Sequence, residues 1–310
     1  MSFRPHTFCA LLFLFCASTA CVAGGPLGDD DDATADLEPE NTDPTLWPDT
    51  LGGDRIARLK WPSNYSGGRL PVVIQLHGFT GNGQWQSQWP QLDGLVDTAN
   101  IILVSGEGTV NAGGDRFWNA TDACCDLYGT GVDDVAWLTS VLDEVVEHFP
   151  VDEDRVYFTG LSNGGFMSYR MACELSERVA AIASVAGMDF ADDDACSPEQ
   201  SVSVLHIHGT ADETVPYNGS NQGWTLPSAG ESVERWAGRA GCDVDDVTDE
   251  GSQDYVTNLP GEETETRSWL TGCAEGRSAS LWTILDGPHV PFFNDDLSAD
   301  LVNWLLQHSR

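Results

Sequence analysis

Arg155-Val156-Tyr157-Phe158-Thr159-Gly160-Leu161-Ser162-Asn163-Gly164-Gly165-Phe166-Met167 is the stretch on which the reading turns. Residues 155–159 read as a strand, and the residues after Asn163 read as a helix running to about Leu175. Between them Gly160-Leu161-Ser162-Asn163-Gly164 has the form GxSxG. A tight strand-to-helix turn forces the serine into a crowded backbone conformation, and glycines on either side relieve the crowding. Ser162 then stands above the sheet at a helix N-terminus, where backbone N–H groups favour developing negative charge. The five-residue pattern alone recurs by chance; the strand before it and the helix after it give it weight. The plain alternative is a glycine-rich turn with a capping serine.

Outward from this turn, strand and helix signals alternate. Residues 71–76 (Pro-Val-Val-Ile-Gln-Leu) and 101–104 (Ile-Ile-Leu-Val) are apolar, β-branched runs of buried-strand type. Residues 55–60 read as an edge strand, and 180–185, 202–207 and 280–285 as further strands. Apolar residues at 135, 138, 141, 142, 145 and 149 have helix spacing, with Asp133 near the start and Pro150 at the stop. Residues 232–240 and 299–308 also read as helices. This alternation predicts an α/β fold, a mostly parallel sheet with helices on both faces, as one domain over residues 51–310.

A serine hydroxyl is a weak nucleophile and needs a base. When the elbow starts the set, the acid follows a later strand and the histidine a later one still. The strand at 202–207 leads through His208-Gly209-Thr210-Ala211 to Asp212, and the strand at 280–285 leads through Asp286-Gly287-Pro288 to His289. Ser162, Asp212 and His289 are therefore the catalytic candidates. Asp189 and the run Asp192–Asp194 are rivals for the acid, but they come one strand early. Two N–H groups should face the oxyanion: that of Asn163, and one from the loop after residues 71–76, most simply Phe79. Both are backbone roles, so their side chains are expected to matter little. His77 should hydrogen-bond within that loop. His206 and His208 alternate along one strand and read as packing or supporting groups rather than a metal pair. His308 is expected at the surface, and Asp133 and Asp134 as a helix start.

The whole chain narrows the function classes. It has 310 residues, with 49 acidic against 14 basic and a formal charge of −35. Such a surface repels nucleic acid and anionic lipid. At the N-terminus, Arg4 and His6 precede an apolar run at 8–15 and the small residues Ala17-Ser18-Thr19-Ala20. The run is too short to span a bilayer and has the order of an export signal, placed at residues 1–20. Ser18-Thr19-Ala20-Cys21 is similar to a bacterial lipobox, with Ser18 where leucine is commonest; Cys21 is the lipidation candidate. An ordinary signal-peptidase cut after Ala20 or Ala23 is the rival reading. Contact with a membrane is expected only through such an anchor. Residues 21–50 are rich in acid, including Asp29-Asp30-Asp31-Asp32, and read as a disordered linker.

Cys9 and Cys16 belong to the export signal. Cys124, Cys125, Cys173, Cys196, Cys242 and Cys273 remain as disulfide candidates in an oxidising compartment, with many connectivities open. No CxxC pair or His/Cys cluster has ligand spacing, so no metal is expected.

Several pieces together resemble a known family. They are His77-Gly78-Phe79-Thr80-Gly81; Cys124-Cys125 shortly before Val132-Asp133-Asp134-Val135; Gly160 to Met167; and His206-Ile207-His208-Gly209-Thr210-Ala211-Asp212 with Val215-Pro216-Tyr217. In this order, across about residues 70–290, they are similar to the secreted polyhydroxybutyrate depolymerase and feruloyl esterase group, close to carbohydrate esterase family 1. The resemblance implies an α/β-hydrolase fold, esterase activity through Ser162, Asp212 and His289, and no cofactor. It also implies that Cys242 pairs with Cys273, and the vicinal cysteines with Cys173 and Cys196. Relatives often carry a Gly-Gly-His-Thr-Trp-Pro-like stretch around the base. Here it is Gly287-Pro288-His289-Val290-Pro291-Phe292-Phe293, a departure that bears on which ester fits more than on the chemistry.

Trp85, Trp89, Trp118 and Trp224 fall in loops that could overhang the site and offer aromatic faces to a polymeric or aromatic ester; the plain alternative is that they pack those loops. A serine peptidase of the prolyl oligopeptidase type shares the elbow and the chain order, but the residues 206–212 and the cysteine pattern weigh against it. An acyltransferase would use the same three residues with another acceptor. A non-catalytic surface-binding lipoprotein would have no need of all three in order.

Overall fold

The computed structural model describes residues 41–86, 89–221 and 224–310, all within one compact unit, Glu38–Arg310. The expected export signal and Cys21 lie outside the described residues.

Ten strands form the central sheet, numbered here along the chain: β1 (Thr50–Leu51), β2 (Ala57–Lys60), β3 (Leu70–Leu76), β4 (Ile102–Gly106), β5 (Val151–Leu161), β6 (Ala181–Val185), β7 (Ser203–Gly209), β8 (Val247–Gln253), β9 (Thr264–Trp269) and β10 (Ala279–Ile284). Their order is β1-β2-β4-β3-β5-β6-β7-β10-β9-β8. The six from β4 to β10 in that order are parallel, and antiparallel pairs close both sides. Side chains alternate between two cores. Val72, Ile74, Val156 and Phe158 face one; Val73, Tyr157, Leu205 and Ile207 face the other. Helices α1 (Asp134–His148), α2 (Asn163–Glu174) and α3 (Ala229–Arg239) cover the first face, and α4 (Asp295–Leu306) covers the second. The α/β class is as expected, and burial on both faces explains why the central strands are almost wholly apolar.

The differences lie at the edges. Residues 55–60 were expected as an edge strand, but β1 pairs outside them. Within the stretch read as linker, Pro44–Leu46 form a short 3-10 turn and Thr50 begins β1. Trp47 is buried and its ring meets those of Trp61, Tyr65 and Phe149 within 5.9 Å. This aromatic cluster anchors a short stretch that its acidic surroundings had disguised. Strands β8 and β9 gave no sequence signal, because β8 is exposed along nearly its whole length and carries Asp249 and Glu250. His308 is buried rather than at the surface: Ser278 Oγ lies 2.8 Å from its Nε2, and its Nδ1 lies 2.9 Å from the Trp304 carbonyl.

The disulfides join Cys124 to Cys125, Cys173 to Cys196 and Cys242 to Cys273. The last was implied by the resemblance; the cross-pairing of the vicinal cysteines was not realised. Cys124 Sγ lies against the Asn163 side chain at the start of α2, whereas Cys173 is ten residues further along that helix. At helical rise that is about 15 Å, too far for one bond.

Candidate active site

The carboxyl ends of β3, β5, β7 and β10 converge on one edge of the sheet, where open parallel sheets commonly bind ligands. β5 ends at Leu161, and Ser162 turns the chain into α2 with φ 52° and ψ −119°. That conformation is costly for a residue with a Cβ. It is held by the Ser162 N–H to the Val185 carbonyl (2.7 Å) and the Phe166 N–H to the Ser162 carbonyl (3.0 Å). Gly160 and Gly164 make the turn feasible. A Cβ on Gly164 would stand 2.1 Å from the Leu76 carbonyl oxygen, and one on Gly160 would stand 2.5 Å from the Gly164 backbone.

Ser162 Oγ donates to His289 Nε2 at 2.9 Å, and His289 Nδ1 donates to Asp212 Oδ2 at 2.6 Å. Asp212 is buried, and its Oδ1 accepts the backbone N–H groups of Thr214 and Val215, each at 2.8 Å. Burial acts to raise this carboxyl pKa. Hydrogen bonds from His208, His289 and the Val215 N–H outweigh it and hold the group well below the usual carboxylate range. The structure thus brings together the three residues singled out from strand ends. A carboxylate held charged against the far nitrogen of an imidazole leaves the near nitrogen free to take a proton from Ser162. The rival acids lie elsewhere. Asp189 is buried against Arg239 (3.2 Å), and Asp192 accepts from the Asp194 N–H of a short 3-10 turn.

The loop after β3 borders the same hollow. As the first residue of α2, Asn163 has an N–H with no acceptor inside the helix. Neither it nor the Phe79 N–H has a hydrogen-bond partner among the described residues. His77 holds this loop. Gly108 N–H donates to its Nε2 (2.9 Å), so the proton is on Nδ1, which donates to the Gly78 carbonyl (2.7 Å). Burial pushes the His77 imidazole down to about 4, so it stays neutral in this role. The Asn163 side chain was expected to matter little and does not behave so. Its carboxamide accepts from the Trp118 N–H and donates to the Trp118 carbonyl.

A hollow of about 520 Å³ opens over Ser162 and His289, lined by Phe79, Thr80, Trp85, Thr214 and Val290 among others. Of the four tryptophans, Trp85 lines it and is half exposed. Trp89 stacks on Phe293 (5.0 Å) and donates to the Pro291 carbonyl, bracing the segment that carries Val290. Trp224 stacks on Phe166 (6.3 Å) and donates to the Ala123 carbonyl. Trp118 is fully buried, with its indole N–H on the His77 carbonyl (3.0 Å), and so cannot meet a substrate. Apolar rings do pack such loops, and from sequence the two fates look alike.

Fold and site together define an α/β-hydrolase with a serine–histidine–aspartate arrangement at the carboxyl edge of its sheet. The chain belongs to the esterase PHB depolymerase family, whose model matches residues 57–215, a segment that includes Ser162 and Asp212. It is 28% identical over 242 residues to feruloyl esterase B of Piromyces equi, a match covering 74% of this chain and 42% of that protein. It is 29% identical over 191 residues to a probable feruloyl esterase C of Aspergillus niger, covering 59% of this chain and 61% of that one. The chain spans less than half the length of the first curated relatives it matches. Among solved structures, the acetyl xylan esterase from Aspergillus awamori has the same fold, with a TM-score of 0.56 at 16% identity over 81% of this chain and 94% of that chain.

Proposed function

We propose that this protein is an exported serine esterase that hydrolyses carboxylic esters through an acyl-enzyme on Ser162. The observation that carries the reading is the unbroken row from Ser162 Oγ through His289 to Asp212, at 2.9 and 2.6 Å. Ser162 attacks the ester carbonyl while its proton passes to His289 Nε2. The N–H groups of Phe79 and Asn163 receive the oxyanion. The alcohol leaves with the proton from His289, and water, activated by the same base, releases the acid. The substrate class is feruloyl or acetyl esters on plant polysaccharide, or a polyhydroxyalkanoate-type polyester. The family and the names of its relatives support that class, as do the Phe79 and Trp85 rings at the hollow. Action outside the cytoplasm is supported by the order of residues 1–20 and by three disulfides.

A hydrolysis panel on the purified chain tests this: p-nitrophenyl acetate and butyrate, methyl ferulate, acetylated xylan and a polyhydroxybutyrate film, with Ser162→Ala as control. Hydrolysis of at least one member, lost in the control, is expected. Activity retained by Ser162→Ala overturns the nucleophile. No hydrolysis of any member, with cleavage of a peptide amide instead, overturns the ester class.

A further inference from the structure

Behind Asp212 lies a second row of polar side chains that the proposed steps do not use. His208 Nε2 is 2.8 Å from the Val215 carbonyl and 3.1 Å from Asp212 Oδ2. Its Nδ1 is 3.0 Å from His206 Nε2, and His206 Nδ1 is 2.7 Å from the Tyr169 hydroxyl. All three side chains are fully or almost fully buried. They come from two elements: His206 and His208 from one face of β7, and Tyr169 from α2 packed against that face. The two imidazoles stack in nearly parallel planes, with centroids 5.2 Å apart.

The direction of each hydrogen bond follows from the ends. A carbonyl and a carboxylate only accept, so His208 Nε2 carries the hydrogen. With the ring neutral, its Nδ1 must accept, so His206 donates from Nε2. His206 Nδ1 then accepts, and the Tyr169 hydroxyl donates to it. Burial favours this set, since it pushes the His206 imidazole far below its ordinary value and the Tyr169 phenol far above. Every hydrogen in the row therefore runs toward the Asp212–Val215 turn, the last one to the Val215 carbonyl with Asp212 Oδ2 beside it.

We propose that Tyr169, His206 and His208 are positioning residues that lock a single tautomer behind the site and hold the His208 Nε2 hydrogen, bonded to the Val215 carbonyl, within 3.1 Å of Asp212 Oδ2 as a second, shared donor beside His289. The inference rests on the reading of Ser162 and His289 as nucleophile and base. The second donor shares the carboxylate's negative charge, so Asp212 stabilises the His289 cation less than a carboxylate with one donor would. The other titratable groups around the row are Tyr217, edge-on to His208 at 5.8 Å, and the Asp189–Arg239 pair beyond Tyr169. Tyr217 bonds Thr283 Oγ1, and Asp189 is neutralised by Arg239, so neither competes for Asp212.

The test has two arms. In the wild type at neutral pH, two-bond proton–nitrogen NMR of the histidines should show His206 and His208 both neutral with the hydrogen on Nε2. A hydrogen on Nδ1 of either ring overturns the row. In the second arm, the acid limb of kcat/KM is followed for wild type, His208→Leu and His208→Gln, whose amide keeps a donor near the Nε2 position. His208→Leu should move the limb upward by about one pH unit, the size of one lost hydrogen bond to a charged group, and His208→Gln should restore it. An unmoved limb in folded His208→Leu overturns the proposal, because a merely structural role changes the active fraction and not the limb. Ser162→Ala is run alongside. If it retains activity the reading of the site fails, whereas an inactive Ser162→Ala with an unmoved His208→Leu limb refutes the row alone.

Discussion

Asn163 grips Trp118 from both sides: its Oδ1 accepts the Trp118 N–H at 2.8 Å, and its Nδ2 donates to the Trp118 carbonyl at 2.9 Å. The indole of Trp118 in turn bonds the His77 carbonyl, so the residue after the nucleophile is tied to the loop that carries Phe79. The two N–H groups expected to face the oxyanion are thereby held in one rigid unit. Asn163→Ala leaves two buried backbone groups unpaired. Urea unfolding should show a loss of about 2–4 kcal/mol. The same variant should lower kcat more than it raises KM, since the oxyanion forms only in the transition state. Equal stability in wild type and variant would contradict this role.

Gly164 lies inside a helix, where propensity alone predicts that alanine stabilises by about 1 kcal/mol. The structure predicts the opposite sign. The added methyl would stand 2.1 Å from the Leu76 carbonyl oxygen and 2.8 Å from that of His77, backbone that cannot turn away. Gly164→Ala should destabilise by about 3 kcal/mol or prevent folding. A gain in thermal midpoint would mean that helix and strand are not in such close contact.

Stability should fall as the medium is acidified from neutral pH. Burial pushes the His308 imidazole down to about 4, below its unfolded value of about 6.5. Below 6.5 the unfolded chain takes up a proton that the folded chain refuses, so stability is lost as pH falls toward 4. The full swing for this one residue is on the order of 3 kcal/mol. His308 is remote from Ser162, so His308→Gln tests the effect cleanly. Its urea midpoint should fall less between pH 7 and pH 4.5 than that of the wild type (bounds set by the roughly two-unit window of the titration). Parallel declines would show that His308 is not the group responsible.

Asp212→Asn keeps the shape of the site and changes its hydrogen bonds. The amide can present a donor where His289 Nδ1 needs an acceptor, which favours the wrong tautomer of the base. The kcat should fall on the order of 10⁴-fold, as in other serine triads. The thermal midpoint is read in parallel, so that unfolding is not mistaken for lost chemistry. A fall of less than tenfold in a folded variant would point to another acid.

How much of this could be read from sequence depends on how local each signal is. Ser162, Asp212 and His289 each follow a strand rich in β-branched and other apolar residues, so chain order alone put them at one edge of the sheet. The parallel core strands were legible for the same reason. Strand β8 was not, because an exposed edge strand with Asp249 and Glu250 carries no apolar pattern. Trp47 and His308 were misjudged because their burial depends on partners distant in sequence: Phe149 for the first, and Ser278 for the second. Trp118 shows the same limit in reverse, since nothing in its neighbours tells a ring that meets substrate from one that seals the loop below. The row behind Asp212 was half visible. The alternation of His206 and His208 placed both on one face, but only the packing of α2 revealed that Tyr169 completes it.

The most direct measurement is to trap the acyl-enzyme. The purified chain is mixed with p-nitrophenyl butyrate, quenched in acid within the first turnover, digested and examined by mass spectrometry. A butyryl group is expected on the peptide that contains Ser162, and none in Ser162→Ala. Steady hydrolysis with no acyl group on that peptide, or with the acyl group on another residue, would contradict it.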